Sequence, residues 1–354
     1  MPAINEYLTS LVERNGSDLH MFAGLPPRMR LYGELTVVDP DPLPQERAEQ
    51  LLREIMPEQA VADFEAHDAA DFAHSIPGVA RFRVNILRHL GGIGGVFRAI
   101  PQQAKTLDDL NMPPVLKSLC QQTQGLILVT GKTGSGKSTT LAAMINEINR
   151  NVSGHIVTIE DPIEFVHERI KCLVSQREVG LHCEDFSAAL HSALREDPDV
   201  ILVGEMRDLE TVCIAVTAAE MGILVMGTLH TNGAGQTVDR IVNVFPTDKQ
   251  PHVRTMLSTS LRGVVSQQLV PRKSGDGLVA ALEILVNTPA TANLIRQGKL
   301  DQLETAMQSG RKSGMATMDK ALSDLFDRGH INGKTAYEFA NDKDKFSEHR
   351  QLDN

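Results

Sequence analysis

The sequence predicts an α/β protein of two domains, and three observations carry that prediction. The first is Gly125-Leu-Ile-Leu-Val-Thr-Gly131-Lys-Thr-Gly134-Ser-Gly136-Lys137-Ser138-Thr139. An apolar run is followed by a glycine-rich turn, then by a helical pattern with Leu141, Met144, Ile145 and Ile148 on one face. The second is that the same design recurs downstream, short apolar runs ending in polar groups and alternating with helical segments, as a mainly parallel sheet requires. The third is length: 354 residues exceed one ordinary core, and the first hundred read as an α+β unit with antiparallel strands.

Composition narrows the function classes. Apolar residues make up 42% of the chain and charged residues 23%, the balance of a soluble globular protein. No apolar run approaches the roughly 20 residues of a membrane span. The start, Met1-Pro-Ala-Ile-Asn-Glu, lacks a basic region followed by an apolar core, so a cytoplasmic location is expected. With 35 basic and 45 acidic residues the net charge is −10, which argues against a nucleic-acid partner. Cys120, Cys172, Cys183 and Cys213 are scattered with no CxxC pair and read as reduced thiols; His182 beside Cys183 is not a ligand set.

Along the first domain, Ile4, Tyr7, Leu8, Leu11 and Val12 give an amphipathic helix, and Gly16 to His20 leads into a strand. Residues 28–30 and 35–38 flank a hairpin turn at Tyr32-Gly33-Glu34. A proline loop at residues 40–44 precedes a helix with Leu51, Leu52 and Ile55, and a second short helix after Pro57 turns Val61 and Phe64 inward. Residues 80–87 alternate as a half-buried strand, and the glycine-rich run 91–98 follows. Arg81, Arg83 and Arg98 lie on or beside these strands, where their plain reading is a solvated sheet face. The domain closes near Pro101, and 102–114 is the expected linker.

From Gly125 onward the residue types point to a triphosphate. Glycines let the backbone approach an anion, so loop N–H groups and the helix N-terminus can cradle it. Lys137 reaches the β- and γ-phosphates and the Ser138 hydroxyl joins an Mg²⁺ shell. Residues 155–160 form a second buried strand, followed by Glu160, Asp161 and Glu164 at its ligand end. Residues 186–196 are helical. Val200 to Val203 then form an apolar strand closed by Gly204-Glu205, the Walker B pattern. A helix over 209–219 leads to a strand over 222–228 that ends at His230, where a γ-phosphate can be sensed. Residues 253–269 are predicted as one long amphipathic helix, 278–286 as a strand, and everything beyond Thr288 as helices. The polar tail from Asn341 is expected to fray.

Together these blocks resemble the secretion-superfamily motor ATPases of type IV pili, and most closely the pilus-retraction branch. The resemblance covers nearly the whole chain. It rests on residues 16–20, 80–85 and 96–101 in the first domain and on 131–139, 158–165, 194–208 and 227–231 in the second. It implies a PAS-like α+β domain (1–101) joined by the linker to a RecA-like P-loop ATPase domain with a helical C-terminal extension (115–354). It also implies a homohexameric ring with ATP and Mg²⁺ held between subunits. By position, Gly131, Thr133, Gly134, Ser135, Gly136, Lys137, Ser138 and Thr139 would hold the phosphates, with Ser138 and Glu205 on the metal. Glu164, in an acidic box that includes Glu160, would orient water, Glu205 would be the Walker B acid and His230 the His-box residue. Arg81, Arg83 and Arg98 match arginines that approach the phosphates from the N-terminal domain, which reverses their solvated-face reading. The implied partners are an inner-membrane pilus platform protein, which would place the chain at the membrane periphery, and a paralogous retraction ATPase.

Two positions depart from the family pattern. The retraction segment AIRNLIR stands here as Ala290-Thr-Ala-Asn-Leu-Ile-Arg296, and Lys132 fills a loop position that is usually small or proline. The stretches 267–271 and 287–289 look more like the accessory retraction paralogue, so the choice between principal and accessory motor stays open. Pilus-assembly relatives carry a zinc insertion with two CxxC pairs, which is missing here. A nucleotide-gated scaffold and a DNA-translocating ring share the fold and remain competing functions; the acidic balance opposes the second.

Overall fold

The N-terminal helical periodicity becomes helix α1 (Ile4–Glu13), which buries Ile4, Leu8 and Leu11. The structure, a computed structural model, describes all residues except Met1, Tyr32, 101–103, Asp276 and 352–354. It divides into two compact units, Met1–Gln103 with Glu164–Val166, and Ala104–Ile163 with His167–Asn354.

In the first unit β1 (Asp18–Phe22), β2 (Arg28–Leu31) and β3 (Glu34–Val37) precede α2 (Gln45–Arg53) and α3 (Glu58–His67), and β4 (Ala69–Ile76), β5 (Ala80–His89) and β6 (Gly92–Ile100) follow. The sheet is antiparallel in the order β3-β2-β1-β6-β5-β4. Alternation puts Leu19, Met21, Phe72, Phe82, Val84 and Phe97 into one core with Leu8, Leu51, Leu52 and Phe64 of the helices. Tyr32, in the expected hairpin turn, lies outside the described residues. Strand β4 has no counterpart in the sequence reading. Its three alanines have weak β-propensity, and it forms because it pairs with β5 along its length.

The second unit opens on packed chain. Of the expected linker, 102 and 103 lie outside the described residues, while Leu107 is buried beneath α4 (Val115–Cys120) and Lys117 Nζ meets Asp108 at 2.6 Å. Strands β7 (Gly125–Thr130), β8 (His155–Glu160), β9 (Leu173–Glu178), β10 (Val200–Val203) and β11 (Leu224–Leu229) are interleaved with α5 (Lys137–Asn151), α6 (Phe186–Ala193) and α7 (Leu209–Glu220). Then come α8 (Ala234–Val244), α9 (Gln250–Ser260), β12 (Leu261–Pro271), β13 (Leu278–Val286), α10 (Pro289–Gln297), α11 (Leu303–Ser309), α12 (Met318–Asp327) and α13 (Gly333–Phe339). The seven-stranded sheet runs β13-β12-β7-β11-β10-β8-β9, parallel except for the β12–β13 pair. This is the P-loop α/β fold with an N-terminal α+β unit that the sequence predicts.

Two expectations are corrected, and one further strand is new. Residues 253–269 are not one helix: α9 ends at Ser260 and the chain continues as β12 between β7 and β13. Val253, Leu257, Leu261 and Val264 keep helical spacing across that junction, but Val264-Val265 is β-branched and fully buried between β7 and β13. Edge strand β9 is half polar and escaped the hydrophobic pattern. The tail does not fray at Asn341. The N–H groups of Asn341 and Asp342 donate to Asp319, Lys345 Nζ pairs with Asp319 at 3.2 Å, and Phe346 is buried with Met318 and Leu322.

The altered segment 290–296 lies within α10. Thr291, one of its departures, forms a reciprocal capping box with Thr288, so the helix start is secured by the substituted residue.

Phe346 is the apolar anchor of the tail. Phe346→Ala is expected to raise the rate of limited proteolysis within 340–351 at least tenfold, about 1.4 kcal/mol of lost protection, while cleavage elsewhere is unchanged; peptide mapping checks this.

Candidate functional site

The parallel ladder sets the site. Thr130 pairs with Leu229, Val203 with Gly227 and Ile159, and Glu160 with Glu178, so the carboxyl ends of β7, β11, β10, β8 and β9 form one continuous edge. The glycine loop, His230, Glu205 and Glu160 leave that edge from consecutive strands, the place where open α/β sheets bind ligands.

The loop's shape comes from its glycines and from β12. Gly131, Gly134 and Gly136 have φ of +142°, +79° and +86°. A Cβ at Gly131 would collide with the Gln267 carbonyl, so β12 passes too close for any side chain there. The Gln267 side chain, buried, donates through Nε2 to the Ser135 carbonyl at 2.7 Å and accepts from Thr140 Oγ1 at 2.7 Å. One amide thus ties the loop to the first turn of α5. Lys137 Nζ donates to the carbonyls of Gly131 and Lys132 at 3.0 and 3.2 Å, so the ammonium folds over the loop. The Lys132 side chain is exposed and only its carbonyl is used, so this departure leaves the loop intact.

These residues fit a polyphosphate. The Ser135 Oγ is buried without a hydrogen-bond partner, an orphan polar atom inside the loop that an anion or its water would satisfy. Residues 137–139 begin α5, where first-turn N–H groups have no intrahelical acceptor. Thr133 and Gly134 are exposed at the loop's crest and Ser138 and Thr139 are half-buried.

Glu205 is aimed by the turn that follows β10. Gly204 N donates to the Ile159 carbonyl, Met206 N to the Thr228 carbonyl, and Thr228 Oγ1 to the Gly204 carbonyl, which pins the turn between β8 and β11. The carboxylate is held by Arg207 through both oxygens, at 2.5 and 2.6 Å, and His230 Nε2 lies 3.2 Å from Oε1. The Arg207 hydrogen bond holds the Glu205 carboxyl below its ordinary range; burial opposes this, and the charges of His230 and Arg207 add to it. Glu160 is buried and its Oε1 accepts from Thr158 Oγ1 at 2.6 Å and from Gln176 Nε2 at 3.3 Å, facing along the sheet.

The structure therefore brings together residues 131–139, Glu160, Glu205 and His230. Glu164 falls in the short stretch grouped with the first unit, and the three arginines lie in that unit's main segment. In that unit Arg98 Nε meets Asp18 at 2.9 Å, and Arg83 stands directly opposite Arg98 on the neighbouring strand. Two like charges across a ladder repel, and exposed Arg83 and Arg98 gain from any anion that reaches them. Burial alone would raise the Asp18 carboxyl, but hydrogen bonds from Ser17 and Arg98 outweigh it and keep the group low. Arg81 is half-buried on the same strand as Arg83.

Arg207 and Gln267 were missed as site residues. Arg207 sits two residues after the Walker B acid, which was a usable signal. Gln267 is 127 residues from Thr140 and lay in the segment misread as helix.

The family model described as Type II/IV secretion system protein matches residues 1–327. The chain is 50% identical to the type IV pilus retraction ATPase PilT of Pseudomonas aeruginosa, covering 97% of this chain and 99% of that one. It is 43% identical to the type IV pilus ATPase PilU of the same organism, over 93% of this chain and 86% of the relative. A crystal structure of the pilus retraction motor PilT with bound ADP superposes with a TM-score of 0.90 at 43% identity, covering 98% and 99% of the two chains.

Because Arg207 depresses Glu205, their pairing stabilises the fold fully above the ordinary glutamate range and is lost as pH falls through the lowered value. Arg207→Ala is expected to shift the Glu205 carboxyl titration upward, as read by carbon-13 NMR of labelled glutamate. An unmoved midpoint would contradict the pairing.

Proposed function

The chain belongs to the Type II/IV secretion system protein family, and on that premise we propose that it is a motor ATPase that hydrolyses ATP to power type IV pilus retraction and twitching motility. The observation that carries this reading is the convergence of the lysine-bearing glycine loop with a Glu205–His230 pair at one sheet edge. The 50% identity to PilT over nearly the full length of both chains supports the direction of work, retraction rather than assembly.

In this reading the loop N–H groups and Lys137 bind the β- and γ-phosphates of ATP, and the buried Ser135 hydroxyl supplies a further contact. Ser138 and Glu205 would hold Mg²⁺, which would neutralise phosphate charge. Glu205 is kept ionised by Arg207, as a metal-holding acid must be. Glu164 orients and deprotonates the attacking water. His230, touching Glu205, reports whether the γ-phosphate is present, while Glu160 and its partners brace the neighbouring strand end. Arg81, Arg83 and Arg98 stabilise the charge that develops on the phosphoryl group when the N-terminal domain of the same or an adjacent subunit closes.

The working form is a homohexamer with ATP between subunits, docked on an inner-membrane pilus platform protein and working beside a paralogous retraction ATPase. A second reading, the accessory motor, is favoured by the altered 290–296 segment and the 43% identity to PilU. The capping role of Thr291 preserves the helix there, and the higher identity to PilT keeps the principal motor first.

Glu205→Gln is expected to lower kcat at least about 100-fold, about 2.7 kcal/mol in barrier, with ATP still bound; steady-state hydrolysis and a fluorescent-nucleotide titration check it. Gln267→Leu leaves the Ser135 carbonyl and Thr140 hydroxyl buried without partners, about 1–3 kcal/mol each, and is expected to weaken ATP binding about tenfold or more by calorimetry. Deletion of the gene, with labelled pili imaged, is expected to give hyperpiliated cells whose pili do not retract. Normal retraction in that strain would reject the principal-motor reading.

A further inference from the structure

Glu283 is a buried carboxylate that the proposed hydrolysis does not use. It lies on β13 directly opposite Ser266 of β12, 8% exposed. Its Oε1 accepts from Ala234 N at 2.7 Å and its Oε2 from Met318 N at 3.2 Å. Those are the first residues of α8 and α12, so one side chain joins two helix N-termini. Burial raises the carboxyl, with Glu304 and Asp319 adding like charge, while the two backbone N–H groups oppose the rise. Only a carboxylate suits this position: two N–H donors converge on its two oxygens, and a glutamine would set an NH₂ group against one of them.

The two helices belong to different parts of the unit. Helix α8 begins four residues after His230, and the intervening turn is gripped on every side. Gly233 N donates to Ser266 Oγ at 2.8 Å, and the Gly233 carbonyl accepts from Thr237 Oγ1 at 2.7 Å. The Thr237 hydroxyl pairs with Thr231 Oγ1 at 2.7 Å and reaches Thr130 Oγ1, at the foot of the phosphate loop, at 3.4 Å. Thr130, Thr237 and Ser266 are all buried. On the far side, α12 belongs to the C-terminal helices, and Asp319 in its first turn collects the tail through Asn341, Asp342 and Lys345. Both oxygens of Glu283 therefore stand between the helix that holds the tail and the turn that follows His230, whose Thr231 is bonded to Thr237 of α8.

We propose that Glu283 is a positioning residue that locks the His230 turn to helix α12, so that the C-terminal helices and the γ-phosphate end of the site move as one. The inference rests on the ATPase reading for its kinetic consequence, though not for the lock itself. A buried carboxylate is an expensive way to fill a core position, and its placement between these helices accounts for it. If α12 shifts, the Ala234 N–H loses its acceptor or follows, and His230 moves relative to Glu205.

The test uses the full chain carrying Glu283→Gln and, as a milder variant, Ser266→Ala, assayed well below their melting temperatures. Glu283→Gln is expected to lower kcat about tenfold with KM for ATP within twofold, and Ser266→Ala to lower kcat about threefold with the same unchanged KM. A carboxylate that only supports the fold would lower the melting temperature and leave kcat within twofold, which would overturn the proposal. If Glu283→Gln does not fold, Met318→Pro, which removes the α12 N–H that Glu283 accepts at a first helical position where proline is tolerated, decides by the same split. Hydrogen exchange read by mass spectrometry separates the lock from the ATPase reading. In Glu283→Gln, deuterium uptake is expected to rise together in peptides covering 229–236 and 316–322, whether or not the wild type hydrolyses ATP. A rise in one peptide without the other would refute the lock.

Discussion

The register of the parallel ladder is the constraint on which the site depends. Residues 126–129, 201, 203, 225 and 226 are wholly buried, and a one-residue slip would carry each of these side chains to the opposite face of the sheet and undo its packing there. With register fixed, the four strand ends are spaced by the ladder itself, and Lys137, His230, Glu205 and Glu160 inherit that spacing. The chemistry then needs only short turns: Gly204 and Thr228 hold the Glu205 turn, and Gln267 holds the phosphate loop.

Strand β12 has a second role beyond completing the sheet. Adjacent residues point to opposite faces, so Gln267 reaches the phosphate loop while Ser266 reaches the turn after His230. Buried polar side chains in a sheet cost free energy unless they are matched, and here they are matched by the backbone of the two loops that would meet a nucleotide and by the Thr140 hydroxyl. The polar core and the functional edge are therefore one network. That places Glu283, one strand further out, within reach of both the site and the C-terminal helices.

Electrostatics divides along the two units. The second unit gathers acids at its sheet edge, with Arg207 as the local counter-charge to Glu205. The first unit lines arginines across β5 and β6, with Asp18 paired to Arg98.

Much of this was legible without coordinates, for a physical reason. The phosphate loop, the Walker B strand and the strand ending at His230 are each local patterns, an apolar run followed within a few residues by the groups that act. Glu205 beside His230 follows from parallel strands ending on one edge. The reading failed where local signals were ambiguous or weak. Val253, Leu257, Leu261 and Val264 satisfy a helical period even though α9 gives way to β12 at Leu261, and alanine-rich β4 and polar edge β9 form only because a neighbour offers its backbone. The α/β class, the anion-binding loop and the acids beside it could be read from the residues alone, because they depend on neighbours close along the chain. Gln267 under the loop, Arg207 on Glu205, Phe346 in the core and Glu283 between two helices emerged with the folded chain. Those depend on side-chain directions and on partners that are distant in sequence or unspecified by spacing, which no local pattern encodes.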